Sequence, residues 1–289
     1  MKLDFRIVDV FTDRPFTGNQ LAVVLDAGDL PTASMQEVTR EFGFSETTFV
    51  SRSTVAGCEW RVRIFTPDRE LPMAGHPTVG TALVLQKEGR IGERTVFELG
   101  VGPVPVEIDG DGYAWMTQPA AEFGRVHDQP ERVAEALGLE PSDIRTDLPA
   151  RIVSTGNQFL IVPVASLDAM RRIRPRVDLW EDAVTAFGAP GAYCFSEEVE
   201  ETGASAHCRM LAPGAIGEDA ATGSAAGPLG AYLWAHVHGE PHSRLDFVFE
   251  QGIEMGRPSR IRVWVPADGK QPRVGGQAAF VAEGRLDVP

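Results

Sequence analysis

Thr17-Gly18-Asn19-Gln20 followed by Leu21-Ala22-Val23-Val24 recurs in the second half of the chain as Thr155-Gly156-Asn157-Gln158 followed by Phe159-Leu160-Ile161-Val162. Each copy is a turn tetrapeptide opening an aliphatic run of strand character. Further along, Arg63-Ile64-Phe65-Thr66-Pro67 leads through Glu70 to a turn at Ala74-Gly75-His76-Pro77. In the second half Arg209-Met210-Leu211-Ala212-Pro213 leads through Glu218 and Asp219 to Thr222-Gly223-Ser224. Three features in the same order at similar spacing mark a duplicated unit.

Each glycine turn opens an apolar helix, expected over Thr78 to Glu88 and over Ser224 to about His238. Pro77 suits a first helical position and Ser224 an N-cap. Val79 to Leu85 has no polar stripe, and Ala225 to Trp234 is apolar nearly all round. Such helices must be covered on most sides. The surroundings read mainly as strands, including Phe5 to Val10, Leu21 to Leu25, Thr47 to Val50, Glu59 to Phe65, Ala206 to Leu211 and Leu245 to Glu250, with Asp109-Gly110-Asp111-Gly112 as a hairpin turn. The expected fold class is α+β: two pseudo-symmetric lobes, each a curled, mostly antiparallel sheet around one central buried helix. The lobes are expected at 1–118 and 119–289, joined near Pro119, with the last strand free to pack back on the first lobe.

At 289 residues the chain is long enough for two lobes with cores of their own, and 43% hydrophobic against 24% charged residues is the balance of a folded protein. A net charge of -14 repels a polyanion, so nucleic acid is not an expected partner. The first residues alternate as a strand and lack a signal peptide's apolar core, and no apolar run is long enough to span a bilayer. A cytoplasmic protein with no membrane partner is expected. Cys58, Cys194 and Cys208 have no C-x-x-C spacing and read as core residues. His236, His238 and His242 match no metal motif, so no metal is expected. Neither a phosphate-binding loop nor a G-x-S-x-G elbow is present.

Two helix N-termini facing a common cleft would favour a small substrate's carboxylate. Gly75 and Gly223 let a ligand approach the backbone, and His76, Asp219 and Ser224 stand at the same turns with side chains suited to hold polar groups. Glu46 lies among Phe42, Phe44 and Phe49 at a helix-to-strand junction. Burial there would raise its pKa toward neutrality, as a general acid or base requires. On these residues alone, a surface glutamate in a loop is the simpler reading.

GFSETTFV around Glu46, MAGHPTVGTA around His76 and GEDAATGSAAGPL around Asp219 and Ser224 together resemble the PhzF family of phenazine-biosynthesis-like isomerases, of the diaminopimelate-epimerase fold. VDVFTDRPFTGNQLAVV, STGNQFLIVPV and QGIEMGRPSRI extend the resemblance over nearly the whole chain. It implies proton transfer between carbons of a small carboxylate-bearing substrate without metal or cofactor, and a homodimer. It puts the family's catalytic glutamate on Glu46 and its substrate-holding residues on His76, Asp219 and Ser224. Gln20 and Ala220 stand where the family often has proline. The alternatives are an epimerase or racemase of the same fold, disfavoured because neither turn carries cysteine, and a non-catalytic ligand binder, against which the retained Glu46 argues.

Overall fold

The computed structural model describes residues 1–214 and 217–288. The chain divides into two compact units, Met1–Thr117 with Gly275–Pro289, and Gln118–Val274. The first contains β1 (Lys2–Val10), β2 (Asn19–Val24), α1 (Thr32–Phe42), β3 (Glu46–Arg52), β4 (Trp60–Phe65), β5 (Glu70–Leu71), α2 (Gly75–Lys87), β6 (Arg94–Leu99), β7 (Gly102–Ile108) and β8 (Ala114–Thr117). The second contains β9 (Glu122–Val126), α3 (Pro130–Leu137), β10 (Arg151–Ser154), β11 (Gln158–Pro163), α4 (Leu167–Arg172), α5 (Val177–Trp180), β12 (Ala192–Ser196), β13 (Ala206–Ala212), β14 (Gly217–Asp219), α6 (Gly223–His236), β15 (Leu245–Gln251) and β16 (Ser259–Val265). β17 (Arg273–Gly276) and β18 (Ala278–Asp287) complete the chain. β18 runs antiparallel along β1 from Lys2↔Asp287 to Val10↔Ala278, which is why the C-terminal segment counts with the first unit.

The duplication read from the turns extends to the strand pairing. In the first unit β1–β2 is antiparallel, β2–β3 parallel, β3–β4 and β4–β5 antiparallel, β4–β6 parallel and β6–β7 antiparallel. In the second, β10–β11, β11–β12, β12–β13, β13–β14, β13–β15 and β15–β16 repeat that series of senses in order. Each parallel step needs a crossover. α1 in the first unit and α4 with α5 in the second supply one crossover, and α2 and α6 supply the other. Both units are therefore mixed sheets in which antiparallel pairs predominate.

α2 and α6 are the apolar helices expected from sequence. Every residue from Gly75 to Leu85 is buried, and α6 is buried from Ala225 to Leu233. Glycine lets strands come close: a Cβ on Gly80 would lie 2.6 Å from Leu21 Cδ2 and 2.7 Å from Val10 Cγ2, and one on Gly230 would lie 2.6 Å from Val263 Cγ1. Two buried threonines of α2 are paired, Thr78 Oγ1 donating to the Ala74 carbonyl at 2.7 Å and Thr81 sharing a 2.9 Å bond with Thr48 of β3.

Both helices begin one turn detail away from expectation. α2 starts at Gly75, so Pro77 is its third residue; Ala74 is still extended at φ -151°, ψ 149°. α6 starts at Gly223, with Thr222 as N-cap and Ser224 inside the first turn. Thr222 makes no side-chain cap because its hydroxyl is committed to Asp219. Just past the expected join near Pro119, Glu122–Val126 form β9 paired with β10. Its side chains are nearly all exposed, so no alternation betrays it.

Candidate active site

In the first unit the sequence brings Glu46 and His76 together. Gly43 ends α1 in the left-handed region at φ 66°, and the chain turns directly into β3, whose first residue, Glu46, pairs in register with Leu21. His76 is the second residue of α2. Glu46 Oε2 and His76 Nε2 lie 3.5 Å apart, with side chains 17% and 5% exposed. Burial pushes the Glu46 carboxyl up to about 7, with the Ser45 hydroxyl opposing the shift. Of the three flanking phenylalanines, Phe42 and Phe44 stack on each other and Phe49 packs edge-on against Phe65 in the core.

The loop before β2 fixes the other side of this pair. Asp9, buried on β1, accepts the Phe16 N–H at 2.6 Å, and Thr12 and Thr17 join hydroxyls at 2.6 Å. Gly18 takes φ +64°, and a Cβ there would run into the Val10 carbonyl. The turn delivers Asn19 between Ser45 and His76: Ser45 Oγ donates to Asn19 Oδ1 at 3.1 Å, and Asn19 Nδ2 stands 3.4 Å from His76 Nδ1.

In the second unit Asp219, Gly223 and Ser224 also come together. Thr222 Oγ1 donates to Asp219 Oδ2 at 2.6 Å. Gln251, fully buried at the end of β15, holds this corner with four bonds. Its Nε2 donates to the Asp219 carbonyl at 2.8 Å and to Thr222 Oγ1 at 3.0 Å, while its Oε1 accepts from Thr222 N at 3.1 Å and from Tyr193 OH at 2.9 Å. Gln118 ties the repeated turn to the helix: Thr155 Oγ1 donates to its Oε1 at 2.7 Å, and its Nε2 donates to the Gly223 carbonyl at 2.9 Å. Pro228 has no N–H to return to the Ser224 carbonyl. As the first two residues of α6, Gly223 and Ser224 carry N–H groups with no acceptor inside the helix, the arrangement that receives an anion.

Sequence reading missed Asn19, Ser45, Gln118, Thr222 and Gln251. All but Gln118 lie inside quoted motifs, but a buried amide or hydroxyl is recognisable as a hub only when its partners, distant in sequence, are known.

The cysteines are buried and free. Burial pushes the Cys194 thiol up to about 12 and Cys208 higher still, so neither carries a thiolate near neutrality. Among the described residues no cluster of three or more His, Cys, Asp or Glu side chains is placed to hold a metal ion, and no helix is long and apolar enough to cross a membrane.

The family described as phenazine biosynthesis-like protein, PhzC-PhzF, matches residues 8–284, and the chain belongs to it. It is 38% identical to an uncharacterized isomerase of Mesorhizobium japonicum, over 99% of both chains. It is 35% identical to the trans-2,3-dihydro-3-hydroxyanthranilate isomerase of Pseudomonas aeruginosa, over 96% of this chain and 97% of that one. The crystal structure of a Bacillus anthracis PhzF-family protein superposes with a TM-score of 0.92 at 30% identity over the full length of both. The chain is an isomerase of this family.

The desolvated carboxyl has a consequence for stability. A group with pKa about 7 when folded and 4.5 when unfolded keeps its proton longer in the fold. Stability is untouched below about pH 4.5, falls as pH rises toward 7, and stays lowered above it. Glu46→Gln, which never ionises, should therefore be more stable than wild type at pH 8, by at most about 3 kcal/mol, and equal to it at pH 4. Urea unfolding at the two pH values checks this; equal stability at both would mean the carboxyl is not desolvated.

Proposed function

We propose that the protein is a cofactor-independent isomerase that moves a proton between carbons of a small carboxylate-bearing substrate, with Glu46 as the proton carrier. The observation that carries this reading is a carboxyl raised to about 7 by burial, with a buried imidazole 3.5 Å away. The ionised Glu46 takes a proton from one carbon, and the electron pair left behind spreads into the substrate's conjugated system. The same carboxyl, now protonated, returns that proton at another carbon, so the net reaction is isomerisation. Gly75 and His76 at the start of α2 bind the substrate beside the carrier. Within the second unit, Asp219 and Ser224 are the side chains suited to polar substituents, and the N–H groups of Gly223 and Ser224 to a carboxylate.

The first probe is trans-2,3-dihydro-3-hydroxyanthranilate, the compound in the name of the Pseudomonas aeruginosa relative. Incubation in deuterium oxide, followed by NMR, should give an isomer with deuterium at carbon, diluted by direct carbon-to-carbon transfer. A wider set of small unsaturated carboxylates is screened for the same exchange. No carbon-bound exchange into any of them would overturn the reading. Because the base must be ionised, log kcat/KM should rise with unit slope below about pH 7 and level off above it.

Neither metal nor thiol has a part in these steps. Turnover should survive exhaustive chelation and alkylation of accessible thiols within about twofold, in line with a mechanism carried by one carboxyl. Loss on chelation with recovery on adding zinc would contradict it.

A further inference from the structure

Asn19 is the buried side chain that reaches both arms of the first unit's site. It is 4% exposed, its Oδ1 accepts the Ser45 hydroxyl at 3.1 Å, and its Nδ2 lies 3.4 Å from His76 Nδ1. We infer that Asn19 is a positioning residue that sets the tautomer of His76: its amide N–H donates to Nδ1, so the neutral ring carries its proton on Nε2, the nitrogen facing Glu46.

The donor and acceptor inventory makes the direction specific. A neutral imidazole has one N–H and one lone pair, and an amide offers a donor on nitrogen and an acceptor on oxygen. Ser45 gives its one hydroxyl proton to Asn19 Oδ1, which puts the amide oxygen on that side and Nδ2 toward His76. Donation from Nδ2 occupies the Nδ1 lone pair and leaves the ring proton on Nε2, 3.5 Å from Glu46 Oε2. Turning the amide over would set Oδ1 against Nδ1, draw the ring proton there and aim the Nε2 lone pair at the carboxyl. Against ionised Glu46 that is repulsive, while the Nε2–H tautomer gives the carboxyl a donor in both of its protonation states. The functional consequence, a base kept oriented through both half-steps, rests on the proposal that Glu46 carries the proton. The tautomer itself does not.

The test reads the ring directly. Histidine labelled with 15N is incorporated into the whole chain, His76 is assigned by the resonance lost in His76→Gln, and nitrogen–proton correlations are recorded without substrate at pH 8.5. The expected spectrum has the proton on Nε2 and an unprotonated Nδ1. In Asn19→Asp, a carboxylate of the same shape can only accept, so the ring proton should move to Nδ1 or the ring should become imidazolium. A wild-type ring protonated on Nδ1, or on both nitrogens, overturns the inference, as does an Nε2–H tautomer unchanged in Asn19→Asp. If that variant does not fold, the wild-type spectrum still decides. Since no turnover is measured, a failure here leaves the isomerase reading standing, and a failure of deuterium exchange leaves the tautomer standing.

Discussion

Replacing Glu46 by glutamine is expected to cut kcat by roughly 10²–10⁴-fold, the contribution of a positioned general acid–base, with little change in the fold. The amide is nearly isosteric with the carboxyl but has no lone pair basic enough to take a carbon-bound proton and no acidic proton to return. Both half-steps therefore fail together, which separates this variant from one that only weakens binding. A change that left kcat intact and raised KM would mark Glu46 as a binding group. Deuterium exchange from solvent into substrate carbon should vanish in parallel with turnover. Exchange that persists while isomerisation stops would show a different base removing the proton, with Glu46 confined to its return. Full activity in Glu46→Gln would exclude the mechanism for every substrate.

The depth to which sequence revealed this molecule follows the range of the forces involved. The two-unit fold was legible because local chemistry wrote it twice: a Thr-Gly-Asn-Gln turn before a strand, an arginine strand before an acidic one, a glycine turn before an apolar helix. Nothing in spacing alone, however, separated Glu46 from a surface glutamate; resemblance did so, and the physical cause is burial supplied by segments distant in sequence. Asn19 and Asn157 make the same point. They occupy equivalent places in identical tetrapeptides, yet Asn19 is buried against His76 while Asn157 is exposed. The first copy ends an eleven-to-eighteen loop tied down by Asp9 and Thr12, whereas the second is a tight hairpin between Ser154 and Gln158. A repeat in sequence thus predicts backbone, and the divergence of side-chain roles appears only once the neighbours are in place.

Arg209→Ala should destabilise the second unit by about 3 kcal/mol, several times the cost of the equivalent change in the first unit, Arg63→Ala, at roughly 1 kcal/mol or less. The two arginines hold the same place in the repeat. Arg63 on β4 grips Glu70 of β5 at 2.7 and 2.6 Å, and Arg209 on β13 grips Glu218 of β14 at 2.8 Å through both of its contacts. Their surroundings differ. The Arg63 and Glu70 side chains are 18% and 39% exposed, so water replaces much of what the pair loses. For Arg209 and Glu218 the figures are 5% and 21%. Burial works against the charge on Arg209, but Glu218 outweighs it and the guanidinium is held above its ordinary pKa. Arg209 Nη1 also donates to the Met170 carbonyl at 2.7 Å, closing the C-terminal end of α4. Truncation leaves Glu218 without its cation and that carbonyl with only the Ile173 N–H at 3.3 Å, and the strand that loosens is the one presenting Asp219. A loss of about 3 kcal/mol corresponds to a fall in melting temperature of roughly 6–12 °C for a unit of this size. Arg209→Met with Glu218→Met should recover most of it, because two well-packed apolar groups carry no unpaired charge. Equal shifts for Arg63→Ala and Arg209→Ala would mean that burial does not distinguish the two pairs, and a double variant no better than Arg209→Ala would mean that shape, not charge, holds β14 in place.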